Sequence, residues 1–259
     1  MSSAPDPRSP RAALVTGAAQ RIGRVIALAL AQRGHAVAIH ANRSRSEADR
    51  LAADIAAAGG RAAVVMCDLA EHDEVAQLVS AARAAVGPLT LLVNNAAEFE
   101  PDEIGALERK QFDRHVAINL RAPLFLAQAF ATQLPDGVDG AIVNLVDQRV
   151  FRPTPRFLTY GLTKSALHAA TTTLAQALAP RIRVNAVAPG PTLPSRRQNA
   201  DVFARQSHSV PLGRGPSPED VAEAVLYLAN ARSVTGATIA VDGGQHLAWR
   251  PLAAGDIAE

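Results

Sequence analysis

The chain has 259 residues, 48% of them hydrophobic and only 4% aromatic, so one α/β domain with an aliphatic and alanine core accommodates it, and disordered and fibrous classes are excluded. The formal net charge of +2 arises from acidic and basic residues interspersed along the chain, with no basic stripe to hold nucleic acid. The lone Cys67 excludes an internal disulfide or a thiolate metal site and suits a reducing cytoplasm, and no apolar run reaches the roughly 18 residues of a membrane span.

Residues 1–10, MSSAPDPRSP, have three prolines and no apolar stretch and read as a disordered tail; residues 11–259 read as one domain. From residue 11 onward short β-rich runs alternate with segments of helical period, the pattern of a doubly wound parallel sheet with helices on both faces, a Rossmann-like α/β fold. Seven strands are expected, at residues 12–16, 35–40, 62–67, 89–94, 141–146, 183–187 and 238–241. Ile22, Val25, Ile26, Ala29 and Leu30 recur at helical spacing after the first strand, and Val75, Leu78, Val79 and Ala82 after the third. Longer helical stretches are expected at 108–134 and 157–179, and another at 218–229 behind a Ser-Pro-Glu-Asp start signal, with Tyr227 in its core face. Segment 188–217, rich in proline, glycine and arginine, is too long for an ordinary connection; following a strand, it reads as a substrate-binding loop.

The first strand ends in Thr16-Gly17-Ala18-Ala19-Gln20-Arg21-Ile22-Gly23 and runs into a helix, the context of a phosphate-binding turn. Gly17 permits the tight turn, Gly23 permits close packing of helix on strand, and Arg21 stands where the common pattern has a middle glycine. That arginine is placed beside the cofactor phosphates or toward the substrate, the alternative being a solvated surface residue. After the second strand, His40-Ala41-Asn42-Arg43-Ser44 contains no carboxylate to hold a ribose hydroxyl pair. A guanidinium and a hydroxyl suit a 2′-phosphate instead, which favours NADPH over NADH. Ser44 and Glu47 also have the spacing of a capping box. Asp68 is placed to accept from an adenine amino group and Asn95-Ala96 to present backbone to the cofactor, although either alone also reads as a cap or turn. Tyr160 and Lys164, drawn from only two tyrosines and two lysines, stand four apart on one helix face. An ammonium there lowers the phenol pKa toward the range of a general acid. Asp147, thirteen residues earlier and just past a strand, faces the same crevice.

In combination these residues resemble the short-chain dehydrogenase/reductase family over residues 11–247. The resemblance is carried by Thr16-Gly17 with Gly23, Asp68, Asn94-Asn95-Ala96, Asn119, Tyr160 with Lys164, Asn185 with Pro189-Gly190, and Val241-Asp242-Gly243-Gly244. It implies Tyr160 as proton donor, Lys164 on the nicotinamide ribose, Asn119 supporting a water relay and Thr192 at the nicotinamide carboxamide. Ile22, His40, Leu69, Pro189 and Gly190 join the cofactor cleft by the same resemblance. Most members have serine at the position of Asp147, where a hydroxyl orients a carbonyl. Asp147, Arg21 and Asn42-Arg43-Ser44 are instead similar to the pteridine reductase branch, as is Phe99, four residues after Asn95, whose counterpart stacks the pterin on the nicotinamide. The closing Val-Asp-Gly-Gly-Gln-His-Leu also resembles pterin and dihydromonapterin reductases, whereas Ala97 departs from a serine common in that branch.

The implied function is NADPH-dependent reduction of a dihydropterin to a tetrahydropterin, with Arg21, Phe99, Asp147 and Tyr160 around the substrate. The implied assembly is a homotetramer packed through 108–134 and 157–179. Two alternatives are a carbonyl reductase acting on a small ketone or 3-oxoacyl thioester, against which Asp147 stands, and a non-catalytic NADP(H)-binding sensor or scaffold, against which Tyr160, Lys164 and Asn119 stand. The seven histidines show no paired spacing of a metal site, and Cys67 reads as core. Arg196-Arg197 are compatible with solvated loop residues or contacts to an anionic substrate, and Trp249 with a subunit contact or a place over the active site.

Overall fold

A computed structural model of the protein describes residues 11–195 and 197–248; the expected tail at 1–10, Arg196 and Trp249 lie outside the described residues. The first strand, Arg11–Val15 (β1), buries four consecutive residues because both its faces are covered. Ala12 and Leu14 pack into one hydrophobic cluster and Ala13 and Val15 into another, as the two-residue period of a strand requires. The remaining strands are His35–Ala41 (β2), Arg61–Met66 (β3), Leu89–Asn94 (β4), Gly140–Leu145 (β5), Ile182–Pro189 (β6) and Thr238–Val241 (β7), each within two residues of expectation. All pair in parallel in the order β3-β2-β1-β4-β5-β6-β7, and the two edge strands are the least buried.

The helices are Arg21–Gln32 (α1), Arg45–Ala57 (α2), His72–Val86 (α3), Arg109–Val116 (α4), Ala122–Gln133 (α5), Leu158–Leu178 (α6), Ala200–His208 (α7) and Pro218–Asn230 (α8). Ile26 and Leu30 of α1, Leu51 and Ile55 of α2 and Val225 of α8 cover one face of the sheet. Val75 and Leu78 of α3, Leu126 and Phe130 of α5 and Ala175 of α6 cover the other. Each such Leu or Ile buried from water contributes about 1.5–3 kcal/mol. Strand order reverses between β1 and β4, and the carboxyl ends of the strands open a crevice at this switch point.

Four expectations need correction. The stretch 108–134 is not one helix: a five-residue π-helical turn, Ala117–Arg121, separates α4 from α5. Pro123 lacks the N–H that an α-helix would send to the Asn119 carbonyl, which favours the wider turn. Segment 188–217 is not loop throughout, since β6 takes its first two residues and α7 forms inside it, capped by Asn199 accepting from the Val202 N–H at 2.8 Å. Ser44 occupies the N-cap position of α2 without capping it; its hydroxyl accepts from Gln20 Nε2 at 3.3 Å, and no Ser44–Glu47 box forms. Tyr227 is 57% exposed, because Val221, Ala222, Val225, Leu226 and Leu228 take the inner face of α8. The start signal of that helix does form a capping box, between Ser217 and Asp220. No described helix is long and apolar enough to cross a membrane.

Candidate active site

A cavity of about 670 Å³ runs along the carboxyl edge of the sheet between the ends of β1, β2, β4, β5 and β6. Of the residues singled out in the sequence as catalytic, cofactor-binding or substrate-binding, all line it except Asn119.

At one end, Gly17 adopts φ +62°, and a Cβ on Gly23 would collide with the Gly17 carbonyl and Asn95 Nδ2. Asn95 Nδ2 donates to the carbonyls of Thr16 at 2.8 Å and Gly17 at 3.1 Å, while Thr16 Oγ1 accepts from the N–H groups of Asn95 and Ala96. The end of β4 therefore holds the turn in shape. The N–H groups of Arg21, Ile22 and Gly23 precede the first helical bond of α1, from Arg24 N–H to Gln20 O, and no acidic residue occupies that first turn. This is a cradle for a pyrophosphate. Arg21 holds φ +55° where a glycine would be unstrained, and its guanidinium donates to the carbonyls of Pro194 at 2.9 Å and Leu193 at 3.4 Å, joining the turn to the long loop.

His40 supports this turn from beneath. The Gly17 N–H donates to His40 Nδ1 at 3.0 Å, which assigns the ring proton to Nε2, 3.0 Å from the Cys67 carbonyl. Burial pushes the ring pKa down to about 4, against the Cys67 carbonyl and Asp68, which act to raise it. The unfolded chain therefore binds the proton more readily. Stability supplied by the neutral ring is complete above about pH 6.5 and is lost as the pH falls toward 4, up to about 3 kcal/mol. Urea unfolding between pH 7 and 4 is expected to show this slope in the native chain and a shallower one in His40→Asn; equal slopes would count against it. His35, pushed down to about 4 by burial and then by Arg11, supplies the slope that persists in the variant.

Beyond β2, Asn42, Arg43 and Ser44 line the cavity with no carboxylate among them, and Arg43 is exposed. Asp68 accepts from the Ala70 N–H at 2.9 Å and lies 3.6 Å from Arg114. Burial opposes its charge, but the Ala70 N–H, Arg114 and Asn42 together hold the carboxyl below its ordinary pKa.

At the reacting end, the Tyr160 hydroxyl donates to Asp147 Oδ2 at 2.9 Å, and Asp147 Oδ1 accepts from the Arg149 N–H at 2.8 Å. The Arg149 guanidinium lies 3.2 Å from Asp147 Oδ2. Lys164 donates to the Leu145 carbonyl at 2.7 Å, and burial brings its pKa down to about 8. The expectation that lysine lowers the phenol pKa is corrected here. Burial first, and Asp147 second, push Tyr160 well above 10, because the ammonium is committed to Leu145 while the carboxylate touches the hydroxyl directly.

Phe99 stacks on Phe157 with ring centres 4.4 Å apart and planes at 4°, and meets Tyr160 edge-on at 4.7 Å. Phe157 is almost wholly buried at φ +57° just before α6, so it backs Phe99, which lines the cavity. Arg149 and Arg197 each lie 5.4–5.6 Å from both ring centres, which places them beside the pair rather than across the face of Phe99. Arg197 also donates to Glu100 Oε2 and the Phe99 carbonyl, both at 2.8 Å. Asn119 sits behind this wall: its Oδ1 accepts from the Glu98 N–H, and its Nδ2 donates to the Glu98 carbonyl and Thr163 Oγ1. It fastens the segment carrying Phe99 to α6. Sequence reasoning missed Gln148, Arg149 and Phe157; Arg149 was discoverable two residues from Asp147, whereas nothing local announces Phe157.

A parallel sheet with a phosphate cradle at its switch point and a Tyr-Lys pair on the next wall defines a dinucleotide-dependent oxidoreductase. The chain belongs to the short-chain dehydrogenase/reductase family. A family profile described as Enoyl-(Acyl carrier protein) reductase matches residues 17–246. The chain is 50% identical to the FolM alternative dihydrofolate reductase 1 of Brucella canis, crystallised with NADP, over 95% of this chain and 97% of that one, with a TM-score of 0.91. It is 36% identical to an uncharacterized oxidoreductase of Methylorubrum extorquens over 90% of this chain and 97% of that protein. It is also 33% identical to the 3-oxoacyl-[acyl-carrier-protein] reductase FabG of Staphylococcus epidermidis, over 92% of this chain and 99% of that one.

Proposed function

We propose that this chain is an NADPH-dependent pterin reductase that converts a dihydropterin to a tetrahydropterin. The observation that carries the reading is the 2.9 Å contact of Tyr160 with the Asp147 carboxylate, in the place where a carbonyl reductase of this family has a serine hydroxyl. A carboxylate repels a developing alkoxide, whereas reduction of C=N adds a hydride to carbon and a proton to nitrogen and develops no oxyanion. The 50% identity to FolM alternative dihydrofolate reductases, crystallised with NADP, supports both substrate class and cofactor.

The residues fit the cofactor. The N–H groups at the start of α1 would hold the pyrophosphate, Arg43 and Ser44 the 2′-phosphate, and Lys164 and Thr192 the nicotinamide riboside. Bound NADPH supplies the hydride. Tyr160 holds the proton at Oη throughout the physiological range, because its raised pKa keeps it a phenol, and delivers it to the ring nitrogen. Arg149, whose charge acts to lower the Tyr160 pKa, offsets the phenolate charge left behind, and Asp147 Oδ2 is the atom through which the proton is replaced. Phe99, backed by Phe157, provides a flat apolar face for the heterocycle. The same proposal includes a cytoplasmic homotetramer, with exposed Phe112, Phe125 and Leu162 on α4, α5 and α6 at its packing faces.

Initial rates with dihydrobiopterin, dihydromonapterin and an activated ketone, each with NADPH and NADH, test the reading. Turnover of the ketone alone would favour the second reading, a carbonyl reductase, which the 33% identity to FabG supports. Arg43→Ala is expected to raise the KM for NADPH about ten- to hundredfold and to leave that for NADH unchanged; equal effects on both would remove Arg43 from the 2′-phosphate.

A further inference from the structure

Buried polar side chains normally find a hydrogen-bond partner, and one that does not calls for an explanation, of which a functional role is one. Gln148 is an exception in the wall of the active-site cavity. It is only 8% exposed, it lines the cavity, and its Oε1, enclosed within the wall, accepts no hydrogen bond. It opens the short turn Gln148–Val150 that Asp147 caps, so the backbone beside it is fixed by the Asp147–Arg149 contact. Ser195, on the long loop lining the same cavity, also has a buried hydroxyl oxygen without a partner. An amide left in this condition costs stability, which is tolerable if the missing partner arrives with the substrate.

The chemistry of the amide narrows that partner. Asp147 only accepts when ionised, and the hydroxyl of Tyr160 is engaged with it. Gln148 alone among these three neighbours presents an acceptor and donors in one plane, which complements a cyclic amide offering N–H beside C=O. A simple ketone has no N–H for Oε1. We propose that Gln148 recognises the substrate, turning its carboxamide toward the cavity to pair with the lactam edge of a heterocycle that lies on Phe99. This rests on the pterin reading and adds to it the edge of the ring that is read.

The test uses the full chain and the variants Q148M and Q148L. Binding of pterin to the NADP⁺-loaded protein is read by quenching of pterin fluorescence, NADP⁺ affinity by calorimetry, and folding by the thermal midpoint of the ligand-free protein. Both variants are expected to melt no lower than the native chain, since an orphaned buried acceptor has been removed. NADP⁺ affinity should hold within about twofold, pterin affinity should fall about ten- to hundredfold, and the KM for a dihydropterin should rise in step. The KM for an activated ketone should not move. Pterin binding within twofold of native overturns the assignment, as does a lowered melting point, which would make the amide structural, or an equal loss of NADP⁺ affinity, which would give it to the nicotinamide. A native protein that binds and reduces no pterin overturns the pterin reading and the ligand named here together, whereas a native protein that does, beside unaffected variants, overturns only the role of Gln148.

Discussion

Replacing Tyr160 by phenylalanine is expected to lower the turnover of a dihydropterin by about 10²- to 10⁴-fold, the usual range for loss of a positioned general acid. The substitution removes one oxygen and little else. The ring keeps its edge contact with Phe99 and its place in the first turn of α6, where it is 6% exposed. Lys164 keeps its bond to the Leu145 carbonyl, so the ribose end of the site is undisturbed and NADPH affinity should change by less than about twofold. Single-turnover rates with NADPH fluorescence as the probe separate binding from chemistry. A rate within about tenfold of native would mean that the proton reaches the substrate by another path. Because the phenol is held protonated by burial and by Asp147, the native rate should not decline with rising pH through loss of the Tyr160 proton until well above pH 10.

Asp147→Ala is expected to reduce pterin turnover by about 10²-fold or more while leaving NADPH binding nearly intact. Its carboxylate touches both the Tyr160 hydroxyl and the Arg149 backbone, so the loss removes a proton relay and a cap at once. It also removes the carboxylate beside the guanidinium of Arg149, whose side chain is 8% exposed, which destabilises the fold. Asp147→Asn separates the two effects, since the amide oxygen can still accept from the Arg149 N–H while the charge is gone. Both variants should fall in rate and in melting temperature, the alanine variant further because it loses the cap as well as the charge. Undiminished pterin turnover in either one would remove Asp147 from the mechanism. Asp147→Ser restores the hydroxyl that carbonyl reductases of the family use, so a gain in ketone turnover with a loss in pterin turnover would tie substrate choice to this one position.

The strands were legible because burial on both faces leaves uninterrupted apolar runs, and β4 and β7 fall on their expected bounds. The cofactor end of the site was legible for a related reason. Gly17 and Gly23 act through backbone permissiveness and Arg43 brings a fixed charge to the cavity wall, which are properties of the residue itself. The reacting end was only partly readable. Tyr160, Lys164 and Asp147 are brought together as expected, but the direction of the phenol shift depends on which neighbour reaches the oxygen, a fact of tertiary geometry. Phe157 acquires its place from a left-handed backbone that no local pattern signals, and Gln148 from burial without a partner. Tyr227 shows the converse error: a helical apolar segment does not reveal which side chain falls on the outer face.

The order of the strands has a consequence for how such an enzyme diversifies. β2, just ahead of Asn42, Arg43 and Ser44, and β5, two residues ahead of Asp147, are separated by β1 and β4, a span of about 14 Å across three strand spacings. Groups that far apart with no shared partner contribute nearly additively. If Arg43 sets coenzyme preference and Asp147 the choice of reducible bond, as proposed, the two are separately heritable traits of this scaffold, and a lineage can exchange one without first repairing the other.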